Sequence, residues 1–210
     1  MDDGRCDGIV LAAGAGTRYG RPKVLAADGA WLRTAVAALR DGGCARVFVV
    51  LGATGPARRD ADGRWLVCES PAIAVPEGVQ PVWAPDWAVG VAASLRAGLG
   101  AVAEAAAAEP DPARYAAIMP VDTPDVGADV VARVLAAARS SRSGLARAVF
   151  HGGPGHPVVL LHEHWPAVIK SAQGNSGARS FLDARPDIVA VTCDDLATGR
   201  DHDYPPTRAR

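Results

Sequence analysis

With 210 residues and a formal net charge of −1, the chain can bury a full core and carries no Lys/Arg block long enough to track a nucleic acid. No stretch reaches the ~18 uninterrupted apolar residues of a membrane span, and Met1 to Asp7 is too short and acidic for a signal peptide. The four cysteines, Cys6, Cys44, Cys68 and Cys193, form no Cys-x-x-Cys pair, so the chain reads as one cytoplasmic domain over 1–210 with neither nucleic acid nor membrane as partner.

Gly8 to Ala12 is a short continuous apolar run, the pattern of a strand buried on both faces. Ala30 to Arg40 has helical spacing and stops at Gly42-Gly43, and Arg46 to Leu51 is a second buried strand. Thr54 to Gly63 reads as a polar loop, Arg64 to Cys68 as a short strand, and Ser70 to Pro81 as irregular chain broken by prolines. A helix is predicted over Gly90 to Ala108, a strand over Ala116 to Val121 and a helix from Val126 to Arg139. Ala146 to Phe150 and Val158 to Leu161 form a hairpin pattern around a Gly/Pro-rich turn. Helices over His162 to Lys170 and Ser176 to Ala184 and a strand over Ile188 to Cys193 complete the chain. Alternating strands and helices of this kind predict a three-layer α/β/α sandwich, Rossmann-like, with a mostly parallel sheet.

In such sheets ligands gather at the carboxyl ends of the strands, and the turn after the first strand is the usual phosphate site. That turn contains Gly14, Gly16 and Gly20, which let backbone N–H groups approach an anion, and Arg18 and Lys23, which add charge. Lysine occurs only at Lys23 and Lys170 among 22 basic residues, which marks Lys23 for a task needing a compact ammonium. Lys23 follows Pro22 and precedes Val24, so the turn is not a Walker loop. Its glycine spacing departs from the dinucleotide fingerprint, and Leu51-Gly52-Ala53-Thr54 offers no carboxylate for a ribose. His162-Glu163-His164 places its histidines two apart, on different sides of a helix, and is no metal pair.

Leu11-Ala12-Ala13-Gly14, Arg18, Gly20, Pro22 and Lys23 match the signature that opens the nucleotidyltransferases related to the molybdenum cofactor cytidylyl- and guanylyltransferases, and the chain resembles that family. The resemblance continues through Asp86-Trp87-Ala88-Val89-Gly90, Ser94-Leu95-Arg96, Asp122-Thr123-Pro124, Gly155-His156-Pro157, Gly174-Asn175-Ser176-Gly177 and Asp201-His202-Asp203. It implies a fold of the nucleotide-diphospho-sugar transferase type and the transfer of a nucleoside monophosphate to a phosphorylated small-molecule acceptor, with release of pyrophosphate. Leu-Ala-Ala-Gly is similar to the cytidylyl branch, so CTP is the expected donor.

By this resemblance the nucleotide is bound by Leu11, Ala12, Ala13, Gly14, Gly16, Thr17, Arg18, Lys23, Gly90 and Ser94, with Arg18, Lys23 and Asp122 as the catalytic set. A triphosphate calls for Mg2+, which takes one or two carboxylates with phosphate oxygens and water. Asp122, directly after a strand, is the first ligand expected, and either Thr123 or Asp125 can cap the helix behind it. Asp203 matches the second, but Tyr204-Pro205-Pro206-Thr207 replaces the family's Thr-Pro-Glu-Asp, which leaves Asp203 either a metal ligand or a solvated tail carboxylate. His156 stands either on the acceptor side or as a packed loop histidine, and Asn175 falls on the acceptor side as a helix cap where relatives often carry aspartate. Trp83 and Trp87 stand either as walls of the nucleotide pocket or as core. Two other functions fit the resemblance: an NAD(P)H-dependent oxidoreductase, since some similar bacterial chains are named nicotine blue oxidoreductases, and a non-catalytic nucleotide-binding or chaperone protein. The pattern specifies neither the acceptor nor an oligomeric state.

Overall fold

Alternation along the first strand, β1 (Cys6–Leu11), decides what lies on each side of the sheet: Cys6 and Val10 face one core and Ile9 the other. The structure is a computed structural model that describes residues 4–67 and 72–204, so Cys68 and the stretch 205–210 lie outside the described residues. After β1 come helix α1 (Ala30–Asp41) and β2 (Arg46–Leu51), which returns parallel to β1 with Ile9 opposite Phe48. Three short strands follow, β3 (Arg58–Arg59), β4 (Trp65–Val67) and β5 (Ile73–Ala74), paired as a small antiparallel sheet of their own. Then come β6 (Val79–Trp83), α2 (Val91–Ala107), β7 (Tyr115–Pro120) and α3 (Ala128–Ser140). The chain goes on through β8 (Leu145–Phe150), β9 (Gly153–Leu161), α4 (Trp165–Ser171), α5 (Arg179–Asp183) and β10 (Val189–Thr192).

The main sheet has seven strands in the order β10-β8-β9-β7-β1-β2-β6. Among these described strands only β9 runs antiparallel to its neighbours, so the predicted hairpin is inserted into an otherwise parallel sheet. One face packs on α1 and α3 through Leu32, Val36, Leu39, Val130, Val134 and Leu135. The other packs on α2, α4 and α5 through Leu95, Leu99, Val168 and Leu182. Each such side chain contributes about 1.5–3 kcal/mol by leaving water. The predicted α/β/α layering is therefore present.

Two local expectations need correction. The stretch to Pro81 is not irregular, because β6 lies at the edge of the sheet with Pro81 opposite Val49, and an edge strand tolerates a residue without an N–H. The helix expected from Ser176 begins only at Arg179, after Gly177 takes φ +54°.

At the amino end of β1, Asp7 is fully buried and binds Arg46 at 2.6 Å, while Arg5 and Arg46 both also pair with Glu109. Removing one partner from such a cluster costs about 3–5 kcal/mol, since the other charge stays buried. Cys6 and Cys44 are free thiols with Sγ atoms 3.7 Å apart on the α1 face. Among the described residues no helix is long and apolar enough to cross a membrane.

Candidate active site

The strands β1 and β7 end side by side: Ala12 N–H donates to Val50 O at 3.0 Å and Val121 N–H to Leu11 O at 3.1 Å. The loops that leave them therefore start as neighbours at the carboxyl edge of the sheet. Gly16 takes φ +62°, and a Cβ there would overlap the Arg21 carbonyl oxygen, so only glycine lets the turn fold back this tightly. Gly20 N–H closes the turn onto Gly16 O at 2.8 Å. Pro22 then leads into a 3-10 segment, Lys23–Gly29, whose first side chain crosses to the end of β7.

The Lys23 ammonium donates to Asp122 Oδ2 at 2.5 Å and to Asp203 Oδ1 at 2.8 Å, and Arg18 lies 2.9 Å from the other oxygen of Asp203. Burial works against the charged lysine, but its bonds to Asp122 and Asp203 outweigh burial and lift its pKa above the ordinary lysine value. The same contact with Lys23 holds the Asp203 carboxyl below its ordinary range. Arg18 is 65% exposed, so its pair with Asp203 contributes little to stability.

Asp203 is not a loose tail carboxylate. Asp125 accepts bonds from Thr198 N–H at 2.7 Å, Thr198 Oγ1 at 2.5 Å and Gly199 N–H at 3.2 Å, which pins the tail to the loop after β7. His202 N–H donates to Asp122 O at 3.0 Å, and the His202 ring packs on Trp31, centroid to centroid 5.3 Å. Trp31 in turn packs on Tyr19 of the opening turn at 5.2 Å. Asp125 is thereby committed to the tail, and among the described residues the buried Thr123 Oγ1 has no partner and α3 starts from Gly127 with no side-chain cap, so neither residue is the expected helix cap.

All the residues predicted for the site, from Leu11 and Thr17 to Asn175 and Asp203, line one cleft of about 740 Å³. Gly90, at φ +128°, starts α2 directly against the turn at 174–175, where a Cβ would overlap Gly174 O, and Ala92 N–H donates to that oxygen at 3.0 Å. Ser94 is buried on the first turn of α2. Asn175 is exposed in the turn and does not cap α5, whose N-cap is Ala178. His156 Nδ1–H donates to Ile118 O at 3.4 Å, and burial depresses its pKa despite the opposing pull of that carbonyl and of Asp201 and Asp122. A neutral ring with its proton on Nδ1 has Nε2 as an acceptor. Trp87 lines the cleft, whereas Trp83 is half exposed on β6 and lies outside it. His164 donates Nε2–H to Ser143 O at 2.7 Å, a structural contact.

Of the charged lining residues, Arg147 was not singled out in the sequence, while Asp201 and Arg179 lie within stretches that resemble the family but carry no assigned role there. Burial and the nearby charge of Asp122 hold the Asp201 carboxyl above its ordinary range. Arg147 interrupts the otherwise apolar strand β8, the signal that could have singled it out.

Asp122 and Asp203 already close on one compact cation, the ammonium of Lys23. Two hard oxygen donors at that spacing suit Mg2+ or a similar divalent ion, which would draw its other ligands from phosphate and water. Among the described residues no cluster of three or more His, Cys, Asp or Glu side chains could cage a metal unaided.

What this edge of the sheet can neutralise is a polyphosphate, and an enzyme so equipped on this fold is a nucleotidyltransferase. Comparison with known proteins gives the family. Residues 8–189 match the MobA-like NTP transferase domain, and the chain belongs to that family. It is 34% identical over 205 residues, 93% of this chain and 91% of the other, to a protein named nicotine blue oxidoreductase from Paenarthrobacter nicotinovorans. The fold is similar to that of Rv0371c from Mycobacterium tuberculosis H37Rv, with a TM-score of 0.68 and 21% identity over 90% of this chain and 88% of that one. It is also similar to 2-C-methyl-D-erythritol 4-phosphate cytidylyltransferase from Thermus thermophilus, with a TM-score of 0.56 and 21% identity over 94% and 92% of the two chains.

Proposed function

We propose that the chain transfers CMP from CTP to a phosphorylated small-molecule acceptor and releases pyrophosphate, with Mg2+ as the metal. The observation that carries this reading is Lys23 held between Asp122 and Asp203 beneath the glycine turn. CTP is favoured because Leu11-Ala12-Ala13-Gly14 resembles the cytidylyl branch of the family.

Bound at Asp122 and Asp203, a divalent ion supplies charge neutralisation for the phosphates. The chain's own residues hold and orient the reactants. Backbone from Ala12 to Gly16 faces the nucleotide, and Lys23 exchanges its carboxylate partners for phosphate oxygens when nucleotide and metal enter. Arg18, exposed at the mouth of the cleft, closes on the same phosphates. An acceptor phosphate oxygen attacks the α-phosphorus in line, its new O–P bond forms as the bond to the β-phosphate oxygen breaks, and pyrophosphate leaves with that electron pair. His156 and Asn175, which line the same cleft, hold the acceptor.

The relative named as an oxidoreductase supports a second reading, reduction of a pigment by a nicotinamide coenzyme. The residues oppose it. The end of β2, Leu51-Gly52-Ala53-Thr54, presents no carboxylate, and Trp87 packs so closely over Gly52 that a Cβ there would overlap it. A docked tail that brings Asp203 to Lys23 likewise weighs against a purely nucleotide-binding chaperone. Incubating the protein with Mg2+, each of four nucleoside triphosphates and a panel of phosphomonoesters, and assaying pyrophosphate, tests the transferase. Release with CTP supports it. NADPH consumption with a quinoid dye and no pyrophosphate would replace it with the second reading.

A further inference from the structure

Among the described residues Arg147 is a cation without a partner. It sits in β8, its Nε is buried with no hydrogen bond, and the described residues supply it with no ion pair. The row Arg147, Val158, Ile118, Ile9 runs straight across β8, β9, β7 and β1, so Arg147 faces the same side of the sheet as Ile9 and Ile118, the side on which the cleft opens. Arg147 lines that cleft beside Gly155 and His156. Arg179 of α5 lines the same end and is also unpaired among the described residues, and the exposed Asp183 nearby pairs with neither. Of the other carboxylates in the cleft, Asp122 and Asp203 are engaged by Lys23 and Arg18, and Asp201 forms no ion pair with Arg147 among the described residues.

A half-buried, unpaired guanidinium costs free energy in the empty protein, and a planar fork of donors is suited to a phosphate or carboxylate. Strand spacing locates that anion. The Arg147 backbone is offset by about 10 Å from β7, whose following loop carries Asp122, and by about 14 Å from β1, which leads into the opening turn. Phosphates bound by the turn and by the metal carboxylates are therefore served by a different set of charges.

Resting on the nucleotidyl-transfer reading, we propose that the acceptor carries a second anionic group, a phosphate or a carboxylate remote from the attacking oxygen, and that Arg147 is the residue that recognises it, with Arg179 at the rim. The attacking phosphate sits near Asp122; the second anion sits two strands away. An acceptor of this kind is bipolar, with charge at both ends and a spacer across β9.

Calorimetric titration in Mg2+ tests this with three probes, hexyl phosphate, 1,6-hexanediol bisphosphate and 6-phosphooxyhexanoate, on the wild type, Arg147→Gln and Arg147→Lys, with CTP titrated separately. The wild type should bind one or both two-headed probes at least about tenfold more tightly than hexyl phosphate, the scale of a charge-assisted fork. Whichever probe wins identifies the anion as phosphate or carboxylate. Arg147→Gln should bring all three probes to equal affinity, and Arg147→Lys should recover part of the preference. CTP affinity should be the same in all three proteins. A melting temperature of Arg147→Gln at or above that of the wild type supports the idea that the free cation is costly. A wild type with no preference, or Arg147→Gln that keeps it, overturns the proposal. If CTP fails to bind while the preference still follows Arg147, the transferase reading fails and the anion site stands; if CTP binds without any preference, the reverse holds.

Discussion

Lys23 in the opening turn donates to Asp122 at the end of β7 across 2.5 Å, although 99 positions separate them in the chain. The bond exists because β1 and β7 are paired neighbours whose loops leave the sheet at the same edge. Lys23→Ala should lower the rate of pyrophosphate release at least ~10²-fold, as expected when a preorganised electrostatic donor is lost. Lys23→Arg should not restore it, since the planar fork cannot sit where an ammonium reaches both Asp122 and Asp203. Steady-state kinetics of the two variants with CTP check this; near-normal turnover in Lys23→Ala contradicts it.

The glycines of the turn are not equivalent. Gly16→Ala puts a Cβ into the Arg21 carbonyl at positive φ and should destabilise the protein by about 1–3 kcal/mol. Gly14 has open space around its missing Cβ, so Gly14→Ala should leave stability within about 0.5 kcal/mol of the wild type. Urea denaturation of the pair measures the contrast, and equal midpoints would show that the turn is not held as described.

The aromatic chain Tyr19, Trp31, His202 holds the tail that brings Asp203 to Lys23. Each ring pair is worth about 0.5–1.5 kcal/mol, so Trp31→Ala should weaken divalent-ion binding in the presence of CTP roughly 2–10-fold through a loosened Asp203. Manganese relaxation titrations of Trp31→Ala read this directly. Unchanged affinity means that Asp203 is placed by other contacts.

Burial keeps His156 neutral in the folded chain, so its folded pKa lies below the unfolded value of about 6.5. The unfolded state then binds more protons between those two values. The His156 contribution to stability is complete above about pH 6.5 and declines as pH falls below it. Asp201 has the opposite sign at lower pH: burial and Asp122 raise its folded pKa, so its contribution is present near pH 4 and is lost as pH rises through the folded value. Melting temperatures should therefore fall between pH 7 and pH 5 in the wild type and fall less in His156→Gln. Parallel curves would place the titration elsewhere.

Much of this was legible in the residues because it is local. The run before Gly14, the glycine spacing and the arginines and lysine of the turn mark a candidate phosphate site without any knowledge of the sheet. The strand β6 was not legible, since Pro81 is acceptable only on an edge and the sequence does not say which strand is the edge. Nothing local gives Arg147 a role in β8; only the order β8-β9-β7-β1 puts it across the cleft from the turn. Asp203 stood next to chain-breaking prolines, and only the long-range contacts of His202 and Asp125 show the tail docked. Asn175 illustrates the converse: the helix behind it begins four residues later, so a cap read from local pattern became a turn residue of the cleft wall.

If the opening turn and the two aspartates hold a nucleoside triphosphate through a divalent ion, calorimetric titration of CTP with Mg2+ into the wild type and into Asp122→Asn reveals it. CTP should bind the wild type in a metal-dependent way, and the loss of one carboxylate charge should weaken that binding at least about tenfold. Equal affinity in both proteins, or binding indifferent to Mg2+, would contradict it.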